Sequence, residues 1–177
     1  MLRVVNELEQ IWSEKLSAAR VKAQVSGRED VAEYLALRAN NDMIRQTSTD
    51  WLLNSLLEIA ADANRSGGNI QTETENAHRF QFGNASLAGS LARLRQGVRC
   101  LTIEAGWTRA PADGFMRGGA FAVARIAHFG ISKHNAELLL VLEKNMPRWF
   151  SVDKNGKRES FDAQNLQRHF GIFLGTI

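Results

Sequence analysis

The hydrophobic positions of this chain follow a helical period in the first third and a strand period through most of the rest. Val5, Leu8, Trp12, Leu16 and Ala19 recur in steps of three and four, which puts them on one stripe of a helix over 2–25. Ser26 and Glu29 have the spacing of a capping box, where each side chain satisfies the other residue's free backbone N–H. A second helix is therefore predicted over 27–45, carrying Val31, Tyr34, Leu35 and Met43. Thr47, Ser48, Thr49 and Asp50 supply cap-type side chains before a third helix over 51–63, with Leu52, Leu56, Ile59 and Ala63 on one face. That helix either stands alone or continues the second. Ser66-Gly67-Gly68-Asn69 ends it.

The polar stretch 69–76 reads as an exposed loop, and beyond it the period changes. A short strand is predicted over 78–82. Asn84 then caps a helix through Leu87, Leu91 and Leu94, stopped by Gly97. From Val98 to Thr108 the residues alternate, with Leu101, Ile103, Ala105 and Trp107 on one face and Cys100, Thr102 and Glu104 on the other. Segment 120–129 is apolar on both faces except at Arg125 and His128, so it belongs centrally in a sheet. Further strands are predicted over 137–143 and 148–152. Asn155-Gly156 marks a tight hairpin of type I′, and Asp162 caps a last helix through Leu166 and Phe170.

Segregated helices and strands with short connections imply an α+β fold. The N-terminal helices pack with a four- to five-stranded, largely antiparallel sheet and a C-terminal helix. The expected division is a three-helix region over 1–66, an exposed loop over 67–77 and a sheet region over 78–177, together one compact unit.

Composition narrows the class. A hydrophobic fraction of 44% and a charged fraction of 23% are those of a folding chain. No apolar run is long enough to span a bilayer. Carboxylates at Glu7 and Glu9 interrupt the start before any signal-peptide core forms. Cys100 is the single cysteine, so no internal disulfide forms, and a cytoplasmic location is expected.

Charge divides along the chain. Residues 1–78 carry eight Lys/Arg against twelve Asp/Glu, a net −4, whereas 79–177 carry fourteen against seven, a net +7. A basic half either keeps the protein in solution or meets an anionic partner: a phosphate ligand, nucleic acid or an acidic protein surface.

Candidate chemistry is sparse. His78, His128, His134 and His169 have no i, i+4 pair of the helical zinc type, and no metal or cofactor is expected. Residues 83–90 hold glycines and serines at a predicted helix start but lack the Gly-Lys-Ser/Thr ending of a nucleotide loop. Gly89-Ser90-Leu91 lacks the second glycine of a nucleophile elbow. Glu104, Asp113, Glu137 and Glu143 could pair around a metal, but Glu143 and Lys144 are adjacent and point to opposite faces of a strand.

Arg125 is the most informative residue. A guanidinium inside an apolar strand needs a carboxylate such as Glu104, or an anion in a pocket. In the second case Arg125, His128 and Trp107 form the pocket, with Arg109, Arg117 and His134 around it. Trp107 and Trp149, beside Arg109 and Arg148, interleave aromatic and basic residues as single-stranded nucleic-acid binders do, but no nucleic-acid motif accompanies them. The leading expectation is a non-catalytic binding or regulatory module whose basic sheet region meets an anionic ligand or protein partner. The alternatives are a small enzyme or ligand-binding protein with a pocket near Arg125, His128 and Trp107, and a structural subunit. No membrane partner is expected, and the N-terminal helices offer a route to a homo-oligomer.

Overall fold

The computed structural model of the protein describes residues 7–176, without the side chains of Glu7, Leu8, Pro111 and Arg117. Val5 and the Leu8 side chain, both in the first predicted stripe, lie outside the described residues. The fold is α+β, with three α-helices and seven strands among the described residues. The backbone forms two compact units, one ending at Ile44 and one starting at Arg45.

Helix α1 spans Glu7–Val25 and α2 spans Glu29–Arg65, so α2 contributes to both units. In the first unit Leu16, Ala23 and Ala32 are buried. The Trp12 indole donates to the Asp42 carboxylate at 3.1 Å, and the Arg38 guanidinium lies 4.9 Å from the Trp12 ring centre. The predicted capping box does not form. Gly27 takes a left-handed conformation (φ 67), so the Gly27 and Arg28 N–H groups return to the carbonyls of Gln24 and Ala23 and close α1. Ser26 donates its hydroxyl to the Lys22 carbonyl and thus belongs to the end of α1.

No break separates the second and third predicted helices. Thr49, Leu52, Leu53, Leu56 and Ala60 are buried along one side of α2, and that packing outweighs the cap preference of residues 47–50. Gly67 (φ 94) ends the helix.

In the second unit, β1 (Gln71–Phe82), β2 (Ala85–Gln96), β3 (Arg99–Trp107), β4 (Ala122–His128), β5 (Ala136–Glu143), β6 (Met146–Val152) and β7 (Arg158–Phe161) form one sheet in chain order, every pair antiparallel. Seven strands replace the expected four or five. The expected loop already belongs to β1 from Gln71, and the helix expected after Asn84 is strand β2. Along β2 the buried positions are 85, 87, 89 and 91, and then 92 and 94. The alternation slips midway because the two ends of the strand are covered on opposite faces. That slip gives Leu87, Leu91 and Leu94 their helix-like spacing. Gly83 (φ 60) and Asn84 form the hairpin turn before it.

Register sorts the side chains onto two faces. One face carries Leu94, Leu101, Ile103, Ala105, Ala124, Ile126, Leu138, Leu140, Trp149 and Phe161, all buried. Helix α3 (Ala163–Leu174) covers it with Leu166, Phe170 and Phe173, and α2 meets it at Ser48. There the Trp149 indole donates to the Ser48 carbonyl at 3.1 Å and Arg45 to the Phe121 carbonyl at 2.8 Å. As predicted, Asp162 caps α3, accepting from the N–H groups of Gln164 and Asn165. The reverse face holds a second cluster of Phe80, Phe82, Ala85, Leu87, Val123 and Leu139. Met116 and Ala120 of the β3–β4 connection fold over that cluster, and Arg158 ties the connection down by donating to the Gly118 carbonyl at 3.2 Å.

Candidate functional site

Beside the second cluster, on the same face, one carboxylate joins three strands. Glu104 on β3 accepts from Arg125 on β4 at 2.9 Å, and its other oxygen lies 2.9 Å from His78 Nε2 on β1. His78 Nδ1 lies 3.4 Å from Glu75, so carboxylates flank the imidazole on both sides. His78 reaches Glu104 because it stands opposite Gly89 on the intervening strand β2, and Gly89 in turn faces Gly106 beside Glu104's position on β3, so no side chain blocks the way. Arg125 also donates to the Gln81 carbonyl at 3.2 Å and lies 5.7 Å from the Phe82 ring centre. Its charge is therefore balanced by a carboxylate and its N–H groups face backbone and Glu104. This is the Arg125–Glu104 pair that the strand pattern allowed.

His128 sits on the opposite face. It stands three positions on from Arg125 along β4, so the sheet itself lies between them. His128 Nε2 lies 2.9 Å from His169 Nδ1 on α3, and the His134 ring stands edge-on to His128 at 6.2 Å. Burial, followed by the charge of His134, lowers the affinity of His128 for a proton. Burial, then His128, Arg168 and His134, brings His169 down to about 4. Among the described residues no group of three or more His, Cys, Asp or Glu side chains is arranged to hold a metal ion.

Trp107 is buried at the far end of β3, with the Arg109 guanidinium 3.9 Å above its ring. The N–H groups of Ala110 and Arg109 both reach the Asp113 carboxylate, which holds its pKa below the ordinary value. The Arg117 side chain lies outside the described residues. The proposed pocket residues thus fall at three separate places: Arg125 on one face, His128 with His134 on the other face at one end, and Trp107 with Arg109 at the opposite end.

A different convergence appears at the hairpin tips. In an antiparallel succession the turns after β2, β4 and β6 fall at the same end of the sheet. The first presents exposed Val98 between Arg95 and Arg99; the second presents Phe129, Ile131 and Lys133; the third presents Lys154. Val98 is 90% exposed and Phe129 is 75% exposed, although the Phe129 N–H is fixed to the Cys100 carbonyl at 2.9 Å. None of Arg95, Arg99, Lys133 and Lys154 has a carboxylate partner among the described residues, in contrast to Arg93, Arg125 and Arg148, which do. Asp153 turns its carboxylate into its own turn, accepting from the N–H groups of Asn155 and Lys157. Sequence reasoning missed this edge. The signal lay in basic residues flanking alternate turns, visible only once β2 is known to be a strand.

Among the described residues no helix is long and apolar enough to cross a membrane. Comparison of the chain with protein-family models, curated proteins and solved structures finds no match.

Proposed function

We propose that this protein is a non-catalytic binding module whose hairpin-tip edge engages an anionic macromolecule. The observation that carries this reading is the set of exposed cations without a carboxylate partner, Arg95, Lys133 and Lys154, with Arg99 held by the Phe173 carbonyl at 3.3 Å, around the exposed apolar side chains Val98, Phe129 and Ile131. Exposed aliphatic and aromatic tips cost solvation in the free protein, and unpaired cations repel one another across an edge. A polyanion covered by both relieves both costs. Phe129 offers a face for an unstacked base, and the flanking cations meet phosphates. The balanced charges around Glu104 support a structural task for that array.

The test is a fluorescence-anisotropy titration with single-stranded and double-stranded oligonucleotides at two salt concentrations, about 50 mM and about 200 mM. Binding that weakens with salt supports the reading. Replacing Arg95, Lys133 and Lys154 together by Glu should weaken it and flatten its salt dependence, because each phosphate contact contributes roughly 0.7–0.9 to the logarithmic salt slope. A titration flat at low salt for both nucleic acids would remove nucleic acid as the partner.

A further inference from the structure

Helix α1 is apolar on two opposite sides. Trp12, Leu16 and Ala23 face its own unit, where Leu16 and Ala23 are buried. Ile11, Ala18, Val21 and Val25 form a second row, and at 100° per residue its centre lies roughly 150° around the helix from the first. Ile11 is 48% exposed, Val21 52% and Val25 84%. With Glu14 the row steps by three and four residues, the spacing of a seam that packs against another helix. A shallow groove follows it, lined by Glu14, Ala18, Val21, Lys22 and Val25.

The face centred on Ala18, made by Ile11, Glu14, Lys22 and Val25, is symmetric about that residue, and Val21 at its flank stands opposite Lys15. Ile11 and Val25 stand seven residues either side of Ala18, and Glu14 and Lys22 stand four either side. We propose that α1 pairs antiparallel with α1 of a second copy of this chain, about a two-fold axis at Ala18. In that arrangement Ile11 of each copy meets Val25 of the other, and Glu14 meets Lys22 twice. Alanine at the axis lets the two backbones approach closely. A parallel pair would instead set Glu14 against Glu14 and Lys22 against Lys22. A two-fold interface requires one surface to complement itself under rotation, and an unrelated helical partner imposes no such mirror relation. The charge pattern therefore selects both the occupant and its direction. Two helical hairpins joined in this way form a four-helix arrangement with the second row inside.

The experiment is sedimentation equilibrium of the full chain with Lys22→Glu, Glu14→Lys and the double reversal. Each single reversal should weaken the dimer about ten-fold or more by setting like charges together, and the double reversal should restore it. Circular dichroism on each variant checks that helix content is retained. A second measurement keeps the test independent of the charge variants. In a Cys100→Ser background, an Ile11→Cys chain mixed with a Val25→Cys chain should form the mixed disulfide in preference to either like pair. A monomeric wild-type chain, a double reversal no better than the singles, or preferential 11–11 cross-linking would overturn the proposal.

Discussion

The Nε2 of His128 lies 2.9 Å from the Nδ1 of His169, and this bond links the middle strand of the sheet to the helix that covers it. Two neutral rings can share one proton, with one donating and the other accepting. Two protonated rings present only donors to each other. Both residues bind protons less readily in the folded protein than ordinary histidine, and His169 does so only near pH 4. The unfolded chain therefore takes up protons first. Stability from this pair is complete above about pH 6.5 and is lost progressively as pH falls towards about 4. Melting temperature should drop between about pH 7.5 and pH 5, and His169→Asn should flatten that drop by removing one titrating ring. Thermal melts across this range check it. An unchanged pH dependence in the variant would assign the effect to other groups.

Glu104 holds the Arg125 guanidinium and the His78 ring at once, so its loss should cost more than the loss of either neighbour. Glu104→Gln leaves Arg125 and His78 half-buried without their shared carboxylate, a cost of about 1–3 kcal/mol. Replacing Glu104 by Gln and Arg125 by Met together should cost less than the sum of the single changes. A chemical-denaturation double-mutant cycle measures that coupling.

Gly89 and Gly106 are opposite each other where β2 meets β3, and each leaves no room for a methyl group. A Cβ on Gly106 would stand 2.8 Å from the Ala88 carbonyl oxygen, and one on Gly89 would run into the backbone of Ala105 and Gly106. Gly89→Ala should therefore destabilise the sheet by more than about 3 kcal/mol, against a smaller loss for Gly119→Ala, whose Cβ meets nothing within 4 Å. Urea midpoints of the two variants give the comparison.

The turn between β5 and β6 is made by Lys144 (φ 51) and Asn145 (φ 65), both left-handed. Such a turn suits Asn followed by Gly. Lys144→Asn with Asn145→Gly should stabilise the protein by about 1 kcal/mol, read as a raised melting temperature.

Much of the fold was legible wherever one rule governed a segment. Alternation at 101, 103, 105 and 107 marks β3, and Asp162 announces α3. The failures share a cause. Strand β2 is buried first on one face and then on the other, so its leucines mimic a helix, and α2 runs through cap-type residues because Thr49, Leu52, Leu53, Leu56 and Ala60 are buried along one side of it. Both outcomes depend on neighbours distant in sequence. The site suffered for the same reason. Arg125 and His128 are three residues apart, and a strand turns that proximity into opposite faces. The basic edge needs the positions of three separate turns, and single-strand patterns do not contain them.

The hairpin edge is tested most directly by salt-dependent binding of a single-stranded oligonucleotide to the wild-type chain and to the variant carrying Glu at positions 95, 133 and 154. The wild type should bind at low salt, with a logarithmic slope exceeding that of the variant by roughly 2. Equal affinities and equal slopes in the two proteins would contradict a binding role for this edge.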